Sequence, residues 1–233
     1  MSQNPKTYFN WSSGKDSALA LYYLLRDGDS SIEHLLTTVN SHYSRVSMHG
    51  LHRSVLEAQA EAIGIPLEVL EVPQNPSMEE YNKLMEEKVK NLKSEGYTHT
   101  VFGDIFLEDL KRYREDMLSP LGIEAIFPLW KKNTKALLQE FLELGFKAVI
   151  VCINHSKLDK SFLGKELSFE LLGQFPKDVD PCGENGEFHT FCFNGPIFQH
   201  PIEFEIGEFL FKTYDNPSDQ TQNIEFGFCE VLL

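Results

Sequence analysis

Residues 12–17 read SSGKDS, directly after the run TYFNW (residues 7–11) and directly before ALALYYLL. A strand that delivers small, polar residues onto the start of a helix leaves backbone N–H groups bare at a helix N-terminus, which is where phosphate binds. Ser12, Ser13 and Gly14 are small enough for close approach. Ser13 and Ser17 add hydroxyl donors, Lys15 offers a positive charge, and Asp16 stands in the first turn, where a carboxylate suits the helix dipole. The stretch is not a Walker A loop, because no glycine lies five residues before the Gly14-Lys15 pair, and it is not G-x-G-x-x-G. On these six residues alone, a plain capped turn competes with a phosphate cradle.

Reading outward, residues 7–11 predict a first strand and Asp16–Arg26 a helix ended by Asp27-Gly28-Asp29. IEHLLTTVN (32–40) predicts a second strand, followed by a polar loop, SHYSRVSMHG. LHRSVLEAQAEAIG reads as a helix closed by Gly64 and Pro66, and LEVLEVP as a strand. SMEEYNKLMEEKVKNLKSEG reads as a helix capped by Ser77, and HTVFGDI (99–105) as a strand ending in Gly103-Asp104. LEDLKRYREDMLSPLG then predicts a helix, IEAIFPLW a short strand, NTKALLQEFLELGF a helix capped by Asn133, and KAVIVCIN a buried strand. This alternation predicts an open parallel sheet with helices on both faces, in which ligands lie beyond the carboxyl ends of the strands. SSGKDS and Gly103-Asp104 should therefore face one cleft.

Beyond residue 154 the texture changes. Residues 158–173 look helical, and EFHTFCFNGPIF, PIEFEIGEFLFKTYD and NIEFGFCEVLL look strand-like, separated by Asn194-Gly195-Pro196 and Asp215-Asn216-Pro217 turns. The expected division is 1–130 for a nucleotide-binding domain and 131–233 for a smaller α+β domain, with a soft boundary between 125 and 155.

The chain has 233 residues, 35 acidic against 21 basic, and a formal charge of -14, which disfavours a broad nucleic-acid surface. The N-terminus lacks a signal-peptide pattern and no apolar stretch reaches membrane-spanning length. With four unpaired-looking cysteines, this predicts a reduced, cytoplasmic protein without a membrane partner. Cys152, Cys182, Cys192 and Cys229 form no CxxC, so no metal-ligating set is assigned. Cys182 invites a catalytic-thiol reading, against which plain packing weighs more heavily.

SSGKDS after a first strand resembles the S-G-G-K-D-S signature of the PP-loop ATP pyrophosphatases, with Ser13 where the first glycine usually stands. HRSVLEAQAEAIGIPLEVLEVP (52–73), FGDI with LEDLKRYREDMLSPLGIEAIFPLW, and DPCGENGEFHTFCFNGPIF (180–198) match one branch. Together they resemble the diphthine–ammonia ligase-like family over most of the chain. The resemblance implies a HUP-type (adenine-nucleotide α-hydrolase-like) domain followed by a family-specific domain carrying GENGEFHTF. It also implies ATP and Mg2+ as cofactors. ATP would be cleaved between the α- and β-phosphates, adenylating a carboxylate that ammonia then converts to an amide. The family acceptor is diphthine, a modified histidine of elongation factor 2. FGDIFLEDLKRYRE departs from the Q-R-x-R-type helix start of the diphthamide enzymes and leans toward a branch acting on a small-molecule acid.

The expected nucleotide-binding residues are Ser12, Ser13, Gly14, Lys15, Asp16, Ser17, Gly103 and Asp104. Lys15, Glu184, Glu187 and His189 are the expected catalytic residues: Lys15 to stabilise charge at the α-phosphate, the carboxylates and histidine to orient substrate or move protons. Asn185, Gly186, His49 and Arg53 are expected to meet substrate, Arg53 through its planar fork. An exposed acidic turn competes as a reading of 184–187, a helix cap for Asp104, and a solvated helix start for Arg53. Lys111, Arg112 and Arg114 read as surface i,i+4 partners of nearby acids, one of them with a less favoured phosphate role. Two other functions stay open: a tRNA-modifying PP-loop enzyme, and a nucleotide-binding protein without chemistry.

Overall fold

A computed structural model describes residues 4–28, 30–46, 49–215 and 223–233. Strands β1 (Lys6–Asn10), β2 (Ser31–Asn40), β4 (Leu67–Val72), β5 (His99–Val101) and β6 (Glu124–Ile126) form a parallel sheet in the order β4-β2-β1-β5-β6. A two-residue β3 (Arg45–Val46), inside the loop expected to be irregular, pairs antiparallel with the end of β2, past the point where β1 stops.

Period-two alternation assigns each strand residue to one side of the sheet. Phe9, Leu35 and Val101 join a core shared with helices α1 (Lys15–Asp27), α2 (Arg53–Ile63) and α5 (Thr134–Glu143). Their neighbours Tyr8, Leu36 and Phe102 join a second core beneath α3 (Met78–Ser94) and α4 (Glu108–Leu118). Helices therefore cover both faces. The ends of α2 and α3 follow their sequence signals: Gly64 closes α2 at φ 80°, and Ser77 with Glu80 forms a reciprocal capping box.

The chain leaves β1 toward β2 and β4, then returns to β5 on the other side. The carboxyl ends of β1 and β5 thus flank the switch point, where α/β sheets bind ligands. SSGKDS and Gly103-Asp104 occupy those two ends.

A second sheet is wholly antiparallel: β7 (Lys147–Asn154), β8 (Phe188–Asn194), β9 (Glu205–Asp215) and β10 (Asn223–Leu232), in the order β8-β7-β10-β9. KAVIVCIN therefore does not extend the parallel sheet. An unbroken apolar run says that a strand is buried on both faces, not which sheet buries it. Residues 158–173 are not one helix but a 3-10 turn at Lys160–Phe162 and a single helical turn, α6 (Phe169–Leu172). Asp29, Ser47-Met48 of the polar loop and the Asn216-Pro217 part of the last turn signal lie outside the described residues. No helix among the described residues is long and apolar enough to cross a membrane.

One buried side chain ties the two sheets to the first loop. Gln59 of α2 is fully buried. Its Oε1 accepts from Trp11 Nε1 at 2.9 Å, and its Nε2 donates to the carbonyls of Ser13 at 3.0 Å and Cys192 at 2.7 Å. Three polar groups with no water access bond to this one amide. Gln59→Leu is expected to cost about 3 kcal/mol or more, read as a lowered urea midpoint with an unchanged slope.

Candidate functional site

The switch point opens into a cleft of about 730 Å³, lined on its polar side by Ser12, Gly14, Lys15, Asp16, Ser17, His49, Gly103, Asp104, Arg114, Glu184, Asn185, Gly186, His189 and Thr190. Its other wall is apolar, with Leu36, Tyr81, Met85, Phe102, Leu110 and Met117. A shallower hollow of about 640 Å³ at the amino ends of β5 and β6, near His99 and Glu124, shares none of these residues.

The loop 12–14 is held from both ends. Ser12 Oγ lies 2.8 Å from Ser17 Oγ across the turn. Cys192 N donates to the Ser13 carbonyl at 2.9 Å, and Lys15 N donates to Thr190 Oγ1 at 3.0 Å, so β8 grips the loop directly. Gly103 lets β5 approach: a Cβ there would lie 3.1 Å from the backbone of Asp16 and Ser17. Ser13, at the usual glycine position, has φ 75°. A β-carbon in that region is strained by roughly 1–2 kcal/mol, and the Ser13 hydroxyl sits 3.2 Å from His49 Nδ1.

Lys15 is almost wholly buried. Its ammonium bonds Asp16 Oδ2 at 2.7 Å and the Cys182 carbonyl, and lies 5.2 Å from the Phe188 ring centre. Burial is the largest influence and favours a neutral amine, but Asp16, Cys182 and Glu184 together outweigh it and hold the Lys15 pKa above its ordinary value, while burial raises that of Asp16.

The GENGE turn is ordered by two acids with different duties. Asp180 Oδ2 accepts from the N–H groups of Cys182 and Glu184 at 3.0 and 3.1 Å. Glu187 is buried away from the cleft and accepts from Asp180 N, Asn185 N and Asn185 Nδ2 at 2.9–3.1 Å. It braces the turn, which removes the geometric basis for its expected catalytic role. Gly183, at φ 70°, packs where a Cβ would strike the Phe188 carbonyl at 2.8 Å. Glu184 does face the cleft. Its Oε1 accepts from Ile105 N at 2.7 Å, latching the turn to the end of β5. Burial lifts its carboxyl to about 7 against the pull of the Ile105 N–H, with Asp16 and Asp104 adding repulsion.

His49 and His189 stack with ring centres 4.6 Å apart. Burial pushes His189 down to about 4 and His49 well below its usual value. His49 Nδ1 lies 3.2 Å from the Ser13 hydroxyl and 3.3 Å from the Thr190 carbonyl, so it accepts from the first or donates to the second according to its tautomer. His189 Nε2 is buried without a hydrogen-bond partner among the described residues.

Two further placements differ from the sequence reading. Arg53 points away from the cleft, paired with Glu57 at 2.7 Å and Glu71 at 3.3 Å on the surface. Arg114, read as a surface residue, lines the cleft: it pairs with Asp104 (Nε to Oδ2, 2.7 Å) and lies 4.1 Å over the Phe102 ring. Lys111 does make the i,i+4 pair, with Glu115. Cys182 is buried, donates to the Thr134 carbonyl, and has its thiol pushed far up by burial, so it packs rather than attacks. Thr190, Gln59 and Asp180 were missed because their roles depend on contacts across more than a hundred residues or on a turn's closure. All three lie inside the quoted stretches, Gln59 in 52–73 and Asp180 and Thr190 in 180–198, and that was their signal in the sequence.

Here, then, is a doubly wound α/β protein whose cleft joins a phosphate-type loop to a turn supplied by a second, antiparallel sheet. The diphthamide synthase N-terminal domain model matches residues 5–125 and the C-terminal domain model residues 133–219, and the chain belongs to that family. A diphthine–ammonia ligase of Danio rerio is 27% identical over 67% of this chain and 67% of its own length. That of Bos taurus is 31% identical over 47% of this chain, but the match spans only 43% of the bovine protein. A solved structure described as a predicted subunit of tRNA methyltransferase from Methanocaldococcus jannaschii aligns at TM-score 0.44 and 18% identity, over 63% of this chain and 80% of its own.

Two outcomes follow from the site's geometry. Ser13→Gly and Ser13→Ala both lose the hydroxyl contact, but only glycine relieves the φ, so the glycine variant should be the more stable by about 1 kcal/mol. Calorimetry of the pair reads this. Glu184 binds its proton more tightly folded than unfolded. Its stabilising contribution is therefore complete below the unfolded value of 4.5 and is lost as pH rises through about 7. The Tm of Glu184→Gln, relative to the parent, should climb between about pH 5 and about pH 8. The opposite titration of His189 is common to both proteins and cancels.

Proposed function

We propose that this protein is an ATP-dependent amide ligase that adenylates a carboxylate and amidates it with ammonia. The supporting observation is the convergence of the SSGKDS loop and the GENGEFHT turn on one cleft, Lys15 N–H to Thr190 and Lys15 Nζ to Cys182. The carboxylate oxygen attacks the α-phosphorus of ATP, pyrophosphate leaves, and ammonia displaces AMP from the acyl carbon, releasing one proton. Charge builds on the α-phosphate oxygens, within the cleft that Lys15 and Arg114 line, and fixed cations there stabilise it without reorganisation. The apolar wall of Leu36, Met85 and Phe102 suits the adenine base.

Among the described residues, Asp104 Oδ2 is buried without a well-aligned hydrogen bond, although Arg114 Nε lies 2.7 Å away and Arg114 Nη2 donates to Oδ1 at 3.1 Å. With Asp16 it makes a donor set of the kind that Mg2+ accepts alongside phosphate oxygens. Asp104 and Asp16 would hold the ion, whose chemistry is to neutralise the phosphates and assist pyrophosphate departure. Glu184, poised near 7, takes the proton released when ammonia attacks, and the neutral His49 and His189 rings offer acceptors to the incoming nitrogen.

The relatives' names make diphthine on elongation factor 2 the first acceptor to try. The helix start FLEDLKRYRE supports a small-molecule acid as the second. Mg-ATP, 15N-ammonium and a panel containing both should give AMP, pyrophosphate and a labelled amide with one acceptor only. ADP and phosphate would overturn the α-phosphate step. Lys15→Met should lower AMP release by about 100-fold or more while the circular dichroism spectrum stays unchanged.

A further inference from the structure

The outer strand of the second sheet is unusual for an exposed edge. β9 is 11 residues long, one of its edges pairs with β10, and the other pairs with no strand among the described residues. Edges of this length are ordinarily shielded by charge, proline or covering chain. Here the middle of the strand reads Phe209-Leu210-Phe211, each side chain 45–50% exposed, followed by Tyr214 at 47%. Phe209 and Phe211 share one face, and Leu210, Lys212 and Tyr214 the other. Tyr43 is also half exposed and lies under the Lys212 ammonium at 5.5 Å, so it extends the Leu210 face.

The order of side chains along this edge selects the partner. A closed two-fold pairing of one antiparallel edge with itself runs its axis through a residue. An axis through Leu210 sets Leu210 opposite Leu210, Phe209 opposite Phe211, and Glu208 opposite Lys212, twice over. Both aromatic pairs and both charge pairs are satisfied at once. An axis through Phe209 would set Glu208 against Leu210 and Gly207 against Phe211. An axis through Phe211 would set Leu210 against Lys212 and Phe209 against Thr213. Only the central register matches like with like and charge with countercharge. The bulge at Gly207-Glu208, where two residues face Glu230 alone, twists the strand away and limits pairing to the segment around Leu210.

We propose that β9 is a dimer interface, joining two copies of this chain edge to edge into one antiparallel sheet centred on Leu210. β8, which carries His189 and Thr190, is the opposite edge of the sheet. Pairing through β9 therefore leaves both clefts open and does not depend on the reaction assigned to them.

Sedimentation velocity and light scattering on the full chain test this directly. The parent should have twice its 26.7 kDa chain mass. Leu210→Lys, which brings two ammonium groups together on the axis, should be monomeric, and so should Lys212→Glu, which faces Glu208 with a like charge. The double variant Glu208→Lys/Lys212→Glu restores the charge pairing and should dimerise again. Circular dichroism and Tm on each variant exclude unfolding as the cause of dissociation. A monomeric parent, a dimer indifferent to both single variants, or a double variant that stays monomeric would each overturn the proposal. So would a parent that remains monomeric and instead holds a different protein on this edge.

Discussion

The carbonyl of Ser13 is the point on which the cleft depends. It accepts one hydrogen bond from the β8 backbone at Cys192 and another from the Gln59 side chain. Those two donors hold the loop in a conformation that a serine would not adopt by itself, at φ 75°. The strain is tolerated because the surroundings over-determine the position. Removing either donor frees the loop to relax, and the N–H groups at the start of α1 then lose their aim.

Much of this was legible in the chain. The strand–helix alternation gives the parallel sheet and its switch point, because each strand must bury two faces and each helix one. The glycines and caps that end the helices act locally, so Gly64, Ser77 and Asn133 could be read without tertiary information. The partner of KAVIVCIN could not, because a uniformly apolar strand carries no face preference. The same limit explains Glu187 and Arg114. A carboxylate's job is set by which N–H groups surround it, and an arginine's by whether its helix turns it toward a cleft. GENGEFHT marks a site as a string, but only the closed turn separates the bracing Glu187 from the cleft-facing Glu184.

The electrostatics of the cleft are not those of the whole molecule. The chain carries a formal charge of -14, yet the deepest charged side chain in the cleft is a cation, Lys15, already engaged by Asp16 and a carbonyl. Arg114 is likewise engaged by Asp104. The two histidines are kept neutral by burial, and Glu184 is kept near the middle of its titration. An anionic ligand therefore meets cations whose positions are fixed before it arrives, beside bases that remain uncharged at neutral pH. Such preorganisation makes a fixed charge effective, since no solvent or side chain has to move as charge develops.

The Lys15–Thr190 bond spans 175 positions of the chain. No early segment can form this cleft alone: until β8 docks, the loop after β1 has neither its grip nor its geometry. Chain topology therefore makes occupancy of the cleft a report on the completed fold. Contacts so distant in sequence form late and slowly, so a partly folded chain has no partial competence. Any ligand that selects the finished cleft also draws the two sheets together by mass action, and its affinity is spent in part on holding the C-terminal sheet in place.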